Sequence, residues 1–189
     1  MDVAGYRCQD TKAWPGKIAV VVVAGNGRHS MKDIEAELQK SFTTNAVVFE
    51  GHVETQSDLP IVAKKMKLKN KLVRLNTNGK NPELLKKMVE RRLVDFVSIT
   101  ITGPLYSGNG DFQKIRDSIK FMQSTKVEHE IVLDWNGNES DARDTASQIT
   151  GTFVLHADKG FDELRAVAST LEGPKHVRIR NNGGEQSIT

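Results

Sequence analysis

The run Ile18-Ala-Val-Val-Val-Val-Ala24 constrains this chain more than any other feature. It is far too short to span a bilayer, and it lacks the 3.6-residue stripe of an amphipathic helix. What remains is a strand covered on both faces, as strands are inside a parallel sheet flanked by crossover helices. The next residues fit that reading. Ser30 stands as a helix N-cap with Asp33 at the capping-box position, and Met31, Ile34 and Leu38 trace one helical stripe. A second strand follows at residues 46–49. Ser57 or Asp58 then caps a helix with Pro60 in its first turn and Ile61, Val62 and Met66 as its apolar side.

The alternation continues to the end of the sequence. Residues 72–76 read as a third strand, Thr77-Asn78-Gly79 as a turn, and Asn81-Pro82-Glu83 as the start of a helix facing inward through Leu84, Leu85, Met88 and Val89. A fourth strand at 96–101 ends at Gly103-Pro104, and a helix from Asp111 carries Ile115, Ile119 and Met122 inward. Strands at 130–133 and 152–155 enclose a helix over about 140–149. A last helix covers 161–171, a short terminal strand 176–180, and the tail 181–189, with Gly183 and Gly184, reads as frayed. Successive βα units imply an α/β fold with a parallel sheet and right-handed crossovers. Alternation alone leaves an open doubly wound sheet and a partial barrel equally available. No linker divides residues 1–189, which read as a single domain.

Charge and cysteine content narrow the function classes. The 27 basic and 24 acidic residues leave a net charge of +3. No stretch concentrates basic residues with aromatics, so no nucleic-acid partner is expected. Lys64, Lys65, Lys67, Lys69 and Lys71 lie around the end of a helix, where lysine suits the negative pole of the dipole, and read as a solvated surface. Cys8 is the single cysteine, which excludes an internal disulfide and a cysteine-rich zinc site. Asp2 and Arg7 interrupt any signal-peptide core, so a cytoplasmic protein without a membrane partner is expected.

Several segments, taken in order, resemble one family. Trp14-Pro-Gly-Lys-Ile18, Gln56-Ser-Asp-Leu-Pro60, Leu75-Asn-Thr-Asn-Gly79 with Asn81-Pro-Glu-Leu-Leu85, Leu93-Val-Asp-Phe-Val97 and Gly103-Pro-Leu105 are similar to motifs of radical S-adenosylmethionine (SAM) activating enzymes. These are the activating enzymes of anaerobic ribonucleotide reductase and pyruvate formate-lyase. The resemblance implies a partial (β/α)6 barrel with its site at the C-terminal ends of the strands. It also implies a loss. The family holds a 4Fe–4S cluster with three cysteines, Cys-x3-Cys-x2-Cys, after its first strand, and such clusters need thiolate ligands. Here that loop is Gly25-Asn-Gly-Arg-His-Ser30, with Gly27 at the first cysteine position. The family's Gly-Gly-Glu-Pro aligns with Glu50-Gly-His-Val53, its strand-three aspartate with Asn76, and its strand-four aspartate and lysine with Thr100 and Thr102. An arginine of its fifth strand falls at Val132. Radical chemistry and a resident cofactor are therefore not expected.

On a barrel, period-two alternation turns Arg74, Asn76, Ser98, Thr100, Thr102, Glu130, Asp134 and His156 inward. Arg74 either pairs with Glu130 or Asp134 as a buried ion pair, or grips a small anionic ligand. Gly25, Asn26 and Gly27, between strand and helix, are either a tight turn or an anion-binding nest. With Glu50 placed like a ribose-binding acid, they form a dinucleotide fingerprint that lacks its third glycine. His29 and His52, near Glu50 or Glu54, are candidate metal ligands or simply solvated. The expected function is a pseudoenzyme with a protein-interaction or small-molecule-binding role. The alternative is a metal- or nucleotide-dependent enzyme using the same cleft.

Overall fold

The computed structural model describes residues 1–27, 29–103 and 110–188, so Arg28 and the Pro104-Leu105 of the resemblance lie outside the described residues. The architecture is α/β, with strands that are mostly parallel. The chain packs as two compact units. One comprises Met1–Thr77 and Glu83–Val97, the other Asn78–Pro82 and the chain from Ser98 onward.

In the first unit the apolar run becomes β2 (Ala19–Ala24), parallel to β3 (Ala46–Gly51), which is parallel to β4 (Leu72–Thr77). On the other side of β2 lies β1 (Val3–Asp10), antiparallel to it, a strand absent from the sequence expectation. The hydrogen-bonded order is thus β1-β2-β3-β4. β2 sits beside β1 and β3, whereas a doubly wound sheet would place it between the second and fourth expected strands.

The first helix of this unit caps as its sequence predicts. In α1 (Met31–Lys40) the Ser30 N–H and hydroxyl both donate to Asp33 Oδ2, at 2.7 and 3.0 Å. These bonds hold the exposed Asp33 carboxyl below its ordinary range. In α2 (Leu59–Leu68), Asp58 is the N-cap and Leu59, Val62, Ala63 and Met66 are buried. Ile61 is not on that side: it is 64% exposed, because the stripe that meets the sheet starts at Leu59 and not at Ile61. α3 (Pro82–Glu90) buries Leu85, Met88 and Val89. The opposite face of the strands has its own cluster. Trp14, Ala19, Val21, Ala46 and Val48 pack together with Ala13, Leu72 and Phe96, the Trp14 and Phe96 rings lying 5.9 Å apart. Each such large side chain contributes about 1.5–3 kcal/mol by leaving water.

β5 (Phe96–Thr102) passes from the first unit into the second. There it is followed by α4 (Gly110–Gln123), β6 (Glu128–Asp134), α5 (Glu139–Ala146), β7 (Thr152–His156), α6 (Phe161–Ala168), β8 (His176–Asn181) and β9 (Gly184–Ser187). The order is again sequential, β5 to β9, with β6, β7 and β8 parallel. Ile131, Leu133, Phe153, Leu155, Val177 and Ile179 fill one face, and Ile115, Ile119 and Met122 of α4 are buried as expected. The tail read as frayed instead folds back: β9 pairs antiparallel with β8 through a loop of Asn182 and Gly183. Among the described residues no helix is long and apolar enough to cross a membrane.

Candidate functional site

In a parallel βα arrangement, ligand chemistry gathers at the C-terminal ends of the strands. In the first unit those ends carry Glu50 and Asn76, on the face of β3 and β4 that also holds Val48 and Arg74. Arg74 Nε donates to Asn76 Oδ1 at 2.8 Å, and Asn76 Nδ2 to Glu50 Oε2 at 3.5 Å. Arg7 Nη2 of β1 donates to Glu50 Oε1 at 3.2 Å and Arg7 Nε to Asp10 Oδ2 at 3.2 Å. Arg74 is 5% exposed, its guanidinium carbon 4.6 Å from the centroid of Phe96. Such a stack suits a planar cation. Partial burial lowers the Arg7 pKa and the two carboxylates raise it more, so Arg7 is firmly charged. Next to this chain of contacts, Thr77 Oγ1 donates to Glu54 Oε1 at 2.6 Å.

The loop after β2 is occupied by the chain's own N-terminal strand. The Gly25 N–H donates to the Asp2 carbonyl at 3.1 Å. At Gly27 an added Cβ would overlap the Val3 carbonyl oxygen, so β1 passes close against the turn there. His29 forms an isolated bridge with Val3 and sits edge-on to Tyr6, ring centroids 5.1 Å apart. Asn26 is exposed, and the His52 N–H is used by the Ala24 carbonyl at 2.9 Å. Among the described residues no three His, Cys, Asp or Glu side chains converge as a metal site would require. Cys8 is exposed on β1; its thiol is pushed up by desolvation and by the Glu37 charge, against the activation a soft ligand needs. One such thiol does not fit a 4Fe–4S cluster.

The second unit lines its polar face differently. Glu130 of β6 is 1% exposed; it accepts from Ser98 Oγ at 2.9 Å and from Arg180 Nη2 at 3.1 and 3.2 Å. Arg180 of β8 also donates through Nε to Glu185 Oε2 at 2.6 Å, and Glu185 accepts from Arg178 Nη1 at 3.4 Å. Burial lowers the Arg180 pKa, yet Glu130 and Glu185 outweigh it and the group is held above its usual value. Thr100, half-buried, follows Ser98 on the same side of β5. At the strand ends Asp134 and His156 are register partners, with His156 Nδ1 3.1 Å from Asp134 Oδ1. A separate depression of about 490 Å³, lined by Arg143, Asp144, Ser147, Thr170 and Glu172, lies at the C-terminal ends of α5 and α6 and thus away from the strand C-termini.

The structure therefore brings Arg74 and Asn76 together in the first unit, with Gly25 bonded to Asp2 and Gly27 close to Val3 of β1, and Asn26 exposed. Thr100, Glu130 and His156 belong to the second. Arg7, Arg178, Arg180 and Glu185 were missed. The alternation in His176-Val-Arg-Ile-Arg180 was the available signal for two of them. No family model matches the chain, and no curated protein matches its sequence.

Proposed function

We propose that this chain is a degenerate radical-SAM-like domain, a partial (β/α)6 barrel that has given up iron–sulfur and radical chemistry and serves as an interaction module. The observation that carries this reading is the self-satisfied lining of the first unit. Where the resembling family would contact its cofactor, Glu50 is bonded to Arg7 and Asn76, and Asn76 to Arg74. In the loop that would carry the cluster, Gly25, Gly27 and His29 lie against Asp2 and Val3 of the chain's own N-terminal segment. The sequential strand order within each unit supports the barrel scaffold. A second reading, a small-ligand site, is favoured only by the Asp134–His156 pair, whose side chains are 49% and 34% exposed.

Anaerobic reconstitution with iron and sulfide tests the loss of cluster chemistry. The protein is expected to stay colourless. A stoichiometric iron–sulfur absorbance band that survives Cys8→Ser would overturn the reading.

A further inference from the structure

Among the described residues, the large apolar side chains left exposed all belong to the first unit: Phe42 (99%), Ile61 (64%) and Leu68 (74%). Ile61 and Leu68 are two helical turns apart on one face of α2, about 10 Å along its axis. Lys64 and Lys65 stand between them on the same exposed face. The buried side of α2 is complete without this face. Phe42 belongs to the same end of the unit, because its turn is tied to the segment after α2. Lys71 Nζ donates to the Thr44 carbonyl at 2.5 Å, and the Leu72 N–H to the Asn45 carbonyl at 3.0 Å. Apolar side chains scattered singly need no explanation; Ile61 and Leu68 instead share one helical face, with two lysines between them. The charge there is unbalanced. Glu35 reaches Lys69 at 3.3 Å and Lys65 at 3.9 Å, and with Lys64 the face keeps a positive excess.

We infer that this face of α2, with Phe42, docks an acidic amphipathic helix of a partner protein. Two apolar anchors of the partner, seven residues apart, would meet Ile61 and Leu68, and its intervening carboxylates Lys64 and Lys65. Charge complementarity selects this occupant. Two-fold pairing of the face with a second copy sets Lys64 and Lys65 against themselves. A membrane-binding helix turns its main apolar side to the lipid, whereas α2 turns that side to its own core. The inference rests on the interaction-module reading and names its surface.

The probe is a fluorescein-labelled helical peptide with Leu at positions i and i+7 and Glu at i+3 and i+4, titrated by fluorescence anisotropy. Saturable, salt-sensitive binding is expected. Ile61→Ser with Leu68→Ser, and separately Lys64→Glu with Lys65→Glu, each weaken it about tenfold or more while the circular dichroism melt is unchanged. A peptide with Lys for Glu regains affinity for the charge-reversed variant. Absence of saturable binding, or binding indifferent to both double variants, overturns the proposal. Phosphatidylserine vesicles that bind where the peptide does not, and lose binding in those variants, give the face to a membrane instead. Cluster assembly on reconstitution would overturn the earlier reading and leave this titration's outcome unaffected.

Discussion

The two units line one face of their strands with polar side chains but compensate those charges in different ways. In the first, the face is floored by Trp14 and Phe96, and its ion pair is solvated: the side chains of Arg7 and Glu50 are 53% and 27% exposed. In the second, the Glu130 side chain is 2% exposed and held by Arg180. An exposed pair adds little to stability, because water competes for both partners. Breaking a buried pair strands a charge without solvent. The Arg7–Glu50 pair therefore adds little to the first face, and the Arg180–Glu130 pair more to the second. Each unit has its own tryptophan, Trp14 or Trp135, so single-tryptophan variants report the surroundings of each.

Trp14→Ala should have the largest effect, because the ring is 8% exposed and packs on Phe96. A loss of about 3–5 kcal/mol is expected, read by circular dichroism in urea because this variant lacks the first unit's tryptophan. A loss under about 1 kcal/mol would remove the apolar floor from the account. Arg180→Met follows, at about 3 kcal/mol in the second unit. The double variant Arg180→Met with Glu130→Met should lose less than Arg180→Met alone, since Arg180 compensates the Glu130 charge. Equal losses in single and double variants would mean that Glu130 is not held by charge. Arg7→Ala should cost less than about 1 kcal/mol and less still in high salt. If Arg7→Ala matched Arg180→Met, the contrast between the units would be gone.

The smallest effect is a pH dependence, to which Asp10 and Asp33 contribute in the first unit and Asp111, lowered by Lys80, in the second. Asp10 is raised by burial, but the Ala13 and Lys12 N–H groups and Arg7 lower it further, so its carboxyl ends below the ordinary range. Asp33 is lowered by the Ser30 N–H and hydroxyl. Groups with depressed folded values add stability above the unfolded carboxylate pKa of about 3.9, and lose it as pH falls through the folded value. Melting of the first unit should therefore drop below about pH 4, and Asp33→Asn should flatten part of that slope.

The βα rhythm was legible because long β-branched runs and 3.6-residue stripes alternate from Ile18 to Arg180. β1 was not. Its alternation is broken by register shifts between Val3 and Gly5 and between Arg7 and Asp10, and Gln9 has φ of 54°. Missing β1 hid Arg7, and with it the group that compensates Glu50. β9, Gly-Glu-Gln-Ser, has no apolar residue, and only its pairing with β8 makes it a strand. That pairing brings Glu185 to Arg180. Faces within β4 and β6 could be read by period two, yet partners reaching across from β1 and β9 could not.

The claim that matters most is that the first unit's polar lining is closed by its own partners and not kept for a cofactor. A thermal-shift titration with SAM, followed at Trp14 in a Trp135→Phe background, tests it most directly. The melting temperature should stay unchanged at millimolar SAM, because Glu50, Asn76 and Arg74 already bond to one another or to Arg7. A saturable rise in melting temperature, abolished by Glu50→Gln, would contradict it.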